Sequence, residues 1–130
     1  MSRSLLLVSA LLVGVVSLAA APAEWAHLGT RTVNHQADRD QIQVTARNGS
    51  FRSIKLKVRR APVTMQRVYV HYANGRIQEV ALRQAFDAGD ESRVIDLVGR
   101  HRVIEKVVFQ YRTSTRWWPR KAAVDLYGIR

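Results

Sequence analysis

"VTMQRVYVHYANGRIQEVAL", residues 63–82, holds two runs of alternating apolar and polar side chains around the dipeptide Asn74-Gly75. β-Branched and aromatic residues at every second position argue for a half-buried strand. Asn-Gly accepts the positive φ angles that a tight hairpin turn demands. The stretch therefore predicts a β-hairpin, with Val68, Val70 and Tyr72 on one face and Arg67, Tyr69 and His71 on the other.

The same signals extend in both directions. "QIQVTA" (41–46) and "FRSIKLKVRR" (51–60) flank a second Asn-Gly pair, Asn48-Gly49, and predict another hairpin. In 51–60, Ile54, Leu56 and Val58 fall on one face and Lys55, Lys57 and Arg59 on the other, which must meet solvent or an anion. "RQAFDAGDES" (83–92) reads as a loop from its Gly and Asp content, and "RVIDLVG" (93–99) as a short strand. "RVIEKVVFQYRT" (102–113) is the most strand-like segment, with Val103, Val107, Phe109 and Tyr111 on a common face. "KAAVDLYGI" (121–129) places Ala122, Val124 and Leu126 inward, and "EWAHLGTRTVN" (24–34) adds a further strand. No long 3.6-period segment competes, and no repeat or low-complexity linker interrupts the pattern. Seven to eight strands with regular turn spacing predict one all-β domain, an antiparallel β-sandwich or jelly roll.

Residues 1–23 differ in kind. Arg3 is their only charge, the run from Leu5 to Ala21 is almost unbroken in its apolarity, and small residues stand at Ala21 and Ala23. That order of parts predicts a secretory signal peptide cleaved before Glu24. An uncleaved anchor is the rival, since the run approaches the ~20 residues that span a bilayer, but Gly14, two serines and the "AAAPA" end favour processing. After cleavage no transmembrane segment is expected, and residues 24–130 form a domain of ordinary size in the periplasm or outside a bacterial cell. The chain contains no cysteine, so neither disulfides, thiol catalysis nor cysteine metal sites arise.

The formal net charge is +11, all but the unit of Arg3 carried after residue 23. The basic residues concentrate toward both ends of the domain. Such a balance favours anionic partners, though an arginine-rich composition yields it without any patch. Lys55, Lys57 and Arg59 form one basic cluster. Arg112, Arg116, Arg120 and Lys121 form another around "STRWWPR" (114–120), which carries Trp117 and Trp118. Arginine forks suit phosphate, sulfate and carboxylate, and tryptophan suits sugar faces and membrane interfaces. Adjacent residues of an extended chain point to opposite sides, so one of the two tryptophans is expected over the core and the other outward.

No chemistry of catalysis is legible. His27, His35, His71 and His101 are scattered without metal-ligand spacing, and no serine has a nucleophile-elbow context. Asp38, Asp40, Asp87, Asp90 and Glu91 match no calcium-loop pattern and read better as turn formers, Asp38 and Asp40 as partners of Arg31 or Arg39.

The order "VYVHYANGRIQEV", "DESRVIDLVGRHRVIEKVVFQYR" and terminal "AAVDLYG" resembles discoidin-like domains of the galactose-binding-like jelly roll. "LGTRTVNHQADRDQIQV", "GSFRSIKLKV" and "SRVIDLVG" are also similar to a family of small exported bacterial proteins of unknown function. The first resemblance implies binding of glycans or anionic phospholipid by loops at one end of a barrel. The expectation is an exported, non-catalytic module without cofactor or metal for an anionic glycan or lipid head group. Its ligand residues would be drawn from Trp117, Trp118, Arg116, Arg120, Arg112, Lys55, Lys57 and Arg59. The alternative is a structural or protein-protein interaction domain of the envelope; nucleic acid is not an expected partner.

Overall fold

A computed structural model of the chain describes residues 24–33, 38–113 and 120–130. The predicted signal segment, His35, Arg116, Trp117 and Trp118 lie outside the described residues. Among the described residues nine strands form: β1 (Ala26–Thr32), β2 (Arg39–Gln43), β3 (Ser50–Phe51), β4 (Ser53–Arg59), β5 (Val63–Tyr72), β6 (Ile77–Phe86), β7 (Ile95–Asp96), β8 (Arg102–Arg112) and β9 (Ala123–Ile129). One sheet has the order β1-β9-β4-β7 and the other β2-β8-β5-β6, with the two-residue β3 added beside β8. All pairings are antiparallel.

β3 apart, these pairings nest. β1 pairs β9, β2 pairs β8, β4 pairs β7 and β5 pairs β6, so the chain is one long hairpin with the Asn74-Gly75 turn at its tip. Rolled so that successive pairs alternate between sheets, it gives the eight-strand jelly roll. The C-terminal ends of β1, β4, β6 and β8 gather at one end, and the turns after β3, β5 and β7 at the other, with the start of β1 and the end of β9.

Alternation decides which side chains lie between the sheets. Ile54, Leu56 and Val58 of β4, Val68, Val70 and Tyr72 of β5, and Val124 and Leu126 of β9 are all buried, as their spacing predicts. Phe51, Phe86, Phe109 and Tyr111 supply the large rings of the core. Each such side chain withdrawn from water stabilises the fold by roughly 1.5–3 kcal/mol, and no disulfide supplements them.

Three sequence expectations are corrected. Residues 41–46 and 51–60 do not form a hairpin: β2 pairs β8 in one sheet, while β4 pairs β9 in the other. Ala46–Asn48 is a 3-10 turn and Gly49 has φ 77° and ψ −150°, so Asn48-Gly49 serves a crossover that lets Phe51 enter the core. Residues 83–86 extend β6 rather than begin a loop, because Arg83, at φ 47°, forms a bulge opposite the stretch between Met65 and Arg67. In β8 the register slips between the partners of His71 and Tyr72, leaving Glu105 without a partner in β5, so Ile104 and not Val103 joins Val107, Phe109 and Tyr111 inside.

The sheet edges are covered. Gln84 Nε2 donates to the Glu91 carbonyl, Arg93 to that of Ala81 and Gln78 Nε2 to that of Asp96, tying residues 91–96 along β6. On the opposite side β1 and β2 meet where Gly29 leaves room for Ile42; a Cβ on Gly29 would stand 2.6 Å from Ile42 Cγ2. Arg31 Nε to Asp40 Oδ1, at 2.7 Å, closes that seam.

Candidate functional site

The outward face of the four-stranded sheet carries Lys55, Lys57 and Arg59, as alternation in β4 requires. Its charge is largely answered from within. Arg59 clasps Asp125 of β9 at two points, Nε to Oδ2 at 2.5 Å and Nη2 to Oδ1 at 3.1 Å. The Asp125 side chain is only 4% exposed. Thr30 Oγ1 also donates to Asp125 Oδ1. Thr30 thereby gives up its one hydroxyl proton, so His27 Nε2, 2.8 Å away, is the donor to Thr30. Burial works against ionisation of Asp125, but the bonds from Arg59 and Thr30 and the nearby charges outweigh it and hold the carboxyl below its ordinary value. Lys55 pairs with Glu91 at 3.1 Å and lies over the Trp25 ring at 4.5 Å. Of the three, Lys57 alone makes no ion pair with the described residues, and it is half-buried.

Two members of the second predicted cluster share a notch at the end of the roll where β9 begins. Arg120 and Lys121, just before β9, meet Arg60 and Thr32 around a notch of about 470 Å³. Arg112 lies at the same end but on the other sheet, opposite Thr64. The acidic residues are turn and pairing residues: Asp40 binds Arg31, and Asp90 Oδ2 accepts the Asp87 amide at 2.8 Å. Among the described residues no His, Asp and Glu side chains gather as metal ligands. Tyr69 and His71 face outward on the five-stranded sheet, Tyr69 under Arg39 at 5.4 Å and His71 beside Lys106 in a shallow depression.

A further concavity is at the other end, a cleft of about 640 Å³. Trp25, Arg52, Arg100 and His101 line it, and Ser53 and Asp96 lie within it. Each wall has a structural cause. Trp25 enters directly before β1. Arg52 stands where the chain leaves β3 for β4, its amide held by the Ile129 carbonyl at 2.9 Å and its carbonyl by the Leu97 amide at 2.8 Å. Arg100 sits in the β7–β8 turn at φ 66°, a left-handed conformation costly for a side chain that long. Ser53 Oγ donates to Asp96 Oδ1 at 2.8 Å, fixing the carboxylate. Neither Arg52 nor Arg100 makes an ion pair among the described residues. By contrast Arg102 bonds the Val98 carbonyl at 2.7 Å and covers the Tyr72 ring at 3.7 Å, and Arg130 bonds the Asn48 carbonyl over Phe51, so both are parts of the framework.

This cleft was not legible as a site. Its residues come from four separate stretches, around 25, 52–53, 94–101 and 129, none with a spacing of its own. The single local signal is Arg100 directly after Gly99 in a turn, where glycine or asparagine is the usual occupant.

Among the described residues no helix is long and apolar enough to cross a membrane. No curated protein and no solved structure matches the chain. A family model, described as a domain of unknown function (DUF2541), matches residues 5–128, and the chain belongs to that family.

Proposed function

We propose that the protein is an exported, non-catalytic binding module of the cell envelope that takes an anionic ligand, a glycan or a lipid head group, at the end of the roll where Trp25 and Arg100 meet. One observation carries the reading: Arg52 and Arg100 line a concave site without ion pairs, while Arg31, Lys55, Arg59 and Arg67 are each already paired with a carboxylate. Guanidinium groups left unpaired in a cleft beside an indole bind anions with an apolar side. The leader at residues 1–23 supports export, and loops grouped at one end of a jelly roll agree with what the discoidin-like resemblance implies.

The alternative, a structural or protein-protein interaction domain, has less support, because the cover along β6 and the β1–β2 seam leave little bare edge for strand addition.

Binding of the purified protein to lipopolysaccharide, anionic vesicles and acidic oligosaccharides, at low and high salt, tests the reading. The expected result is salt-sensitive binding that Arg52→Gln/Arg100→Gln abolishes. Absence of binding to all three would sink it.

A further inference from the structure

Resting on that anion-binding reading, we infer that the cleft recognises an acidic saccharide, a carboxylate-bearing sugar of the uronic-acid class, rather than a bare phosphate or a lipid head group. Three features separate these ligands.

The first is Asp96. Ser53 holds its Oδ1, while Oδ2 takes no bond from the described residues, leaving a fixed carboxylate oxygen in the cleft that Arg52 and Arg100 also line. A carboxylate accepts hydrogen bonds and cannot donate them, so its natural partner is a hydroxyl. Against phosphate it is a like charge; against a sugar ring, with adjacent hydroxyls, it is an acceptor in place.

The second is Trp25. Lys55 lies over its ring and Glu91 anchors Lys55, so the indole is held at the cleft rather than left to swing. An amphipathic ring in a pocket of a few hundred Å³ suits the C–H face of a pyranose. The third is the pair Arg52 and Arg100, whose planar forks match a carboxylate at two points. Hydroxyl acceptor, apolar platform and anion fork together describe a sugar acid. The cleft is also concave, about 640 Å³, whereas a vesicle surface offers a plane.

The test uses four probes on the purified protein: oligogalacturonate, a neutral malto-oligosaccharide, inorganic phosphate and vesicles of phosphatidylglycerol with phosphatidylcholine. Oligogalacturonate is expected to bind, and Trp25→Ala and Asp96→Asn each to weaken it by roughly tenfold, the value of one lost hydrogen bond to a charged group or one lost ring contact. Asp96→Asn removes a negative charge, so binding of phosphate or vesicles should hold or tighten in the same variant. Thermal midpoints show that each variant is folded. If Asp96→Asn tightens oligogalacturonate, or Trp25→Ala leaves it unchanged, or only phosphate or vesicles bind, the saccharide assignment is wrong and anion binding stands. If no probe binds, both fall.

Discussion

Arg59 of β4 reaches diagonally to Asp125 of β9 and forms a two-point pair, with the carboxylate almost fully enclosed and the guanidinium partly open to water at 41% exposure. Burial, the largest influence on Asp125, raises its pKa, but Arg59, Thr30 and His27 together bring it below the ordinary value. A carboxyl with a depressed folded-state pKa adds stability that is present above the unfolded value of about 3.9 and lost as pH falls through the lower folded value. Thermal midpoints are therefore expected to hold above about pH 5 and to fall steeply in stronger acid. Asp125→Asn should flatten that acid limb and cost about 1–3 kcal/mol near neutrality, since a two-point charged contact becomes at best a neutral one. An unchanged acid limb in the variant would show that another carboxylate governs it.

Gly128, buried near the end of β9, is a glycine by necessity of packing. A Cβ there would stand 2.8 Å from Phe51 Cδ1 and 2.9 Å from Leu28 Cδ1. Both neighbours are buried, so neither ring nor methyl has room to retreat. Gly128→Ala should destabilise by about 1–3 kcal/mol through overpacking. Urea unfolding should show a lower midpoint with an unchanged slope.

The hairpin at β5–β6 and the inward residues of β4 and β9 were legible because each depends on local alternation. The pairing of β2 was not, since Ile42 and Val44 alternate equally well whichever strand lies beside them, and Phe51 decides the path by entering the core. Lys55, Lys57 and Arg59 were legible as a cationic row, but its neutralisation was not. Asp125 is 66 residues from Arg59, and nothing near it marks it as buried. The cleft escaped for the same reason: only the closing of β1 on β9 and the passage from β3 to β4 bring Trp25 to Arg52.

Arg102 ties two turns together at the cleft end. It donates to the Val98 carbonyl at 2.7 Å and to Asn74 Oδ1 at 3.3 Å while lying over Tyr72. Arg102→Lys keeps the charge but loses the planar fork, so it should not restore the tie. Both Arg102→Ala and Arg102→Lys are expected to speed hydrogen exchange at Val98, whose amide bonds Gln78 Oε1 at 3.0 Å, and to leave amides in β4 protected. Equal exchange at Val98 in the lysine variant and the parent chain would remove the fork from the account.

Trp25 stands at one end of the roll, and the described residues on either side of Trp117 and Trp118 stand at the other. Thr113 and Arg120 bracket the segment with Trp117 and Trp118, and Arg120 lies beside Thr32 at the far end of β1 from Trp25. Seven residues of strand separate the ends by about 20 Å. Trp117→Ala/Trp118→Ala should leave oligogalacturonate affinity within about twofold, as distant independent sites do, while Trp25→Ala lowers it. The reverse result would place the ligand at the end where β9 begins, with Arg120 and Lys121.

Arg100 combines a strained backbone with a side chain proposed to bind the ligand, and the two separate under substitution. At φ 66° an arginine is held where asparagine is at ease, and Gly99 before it, at φ 95°, continues the same turn. A strained position of this kind costs on the order of 1 kcal/mol, and folding alone gives no reason to keep it. Arg100→Asn should raise the unfolding midpoint, by up to about 1 kcal/mol in stability, because the asparagine meets the same angles with less strain. The same variant loses one of the two forks in the cleft, so its affinity for oligogalacturonate should fall by roughly tenfold. Denaturant unfolding and titration calorimetry on one preparation read both effects. A variant that is more stable and binds as well as the parent would leave Arg100 without a role in binding. One that is less stable would mean that the side chain supports the turn it strains.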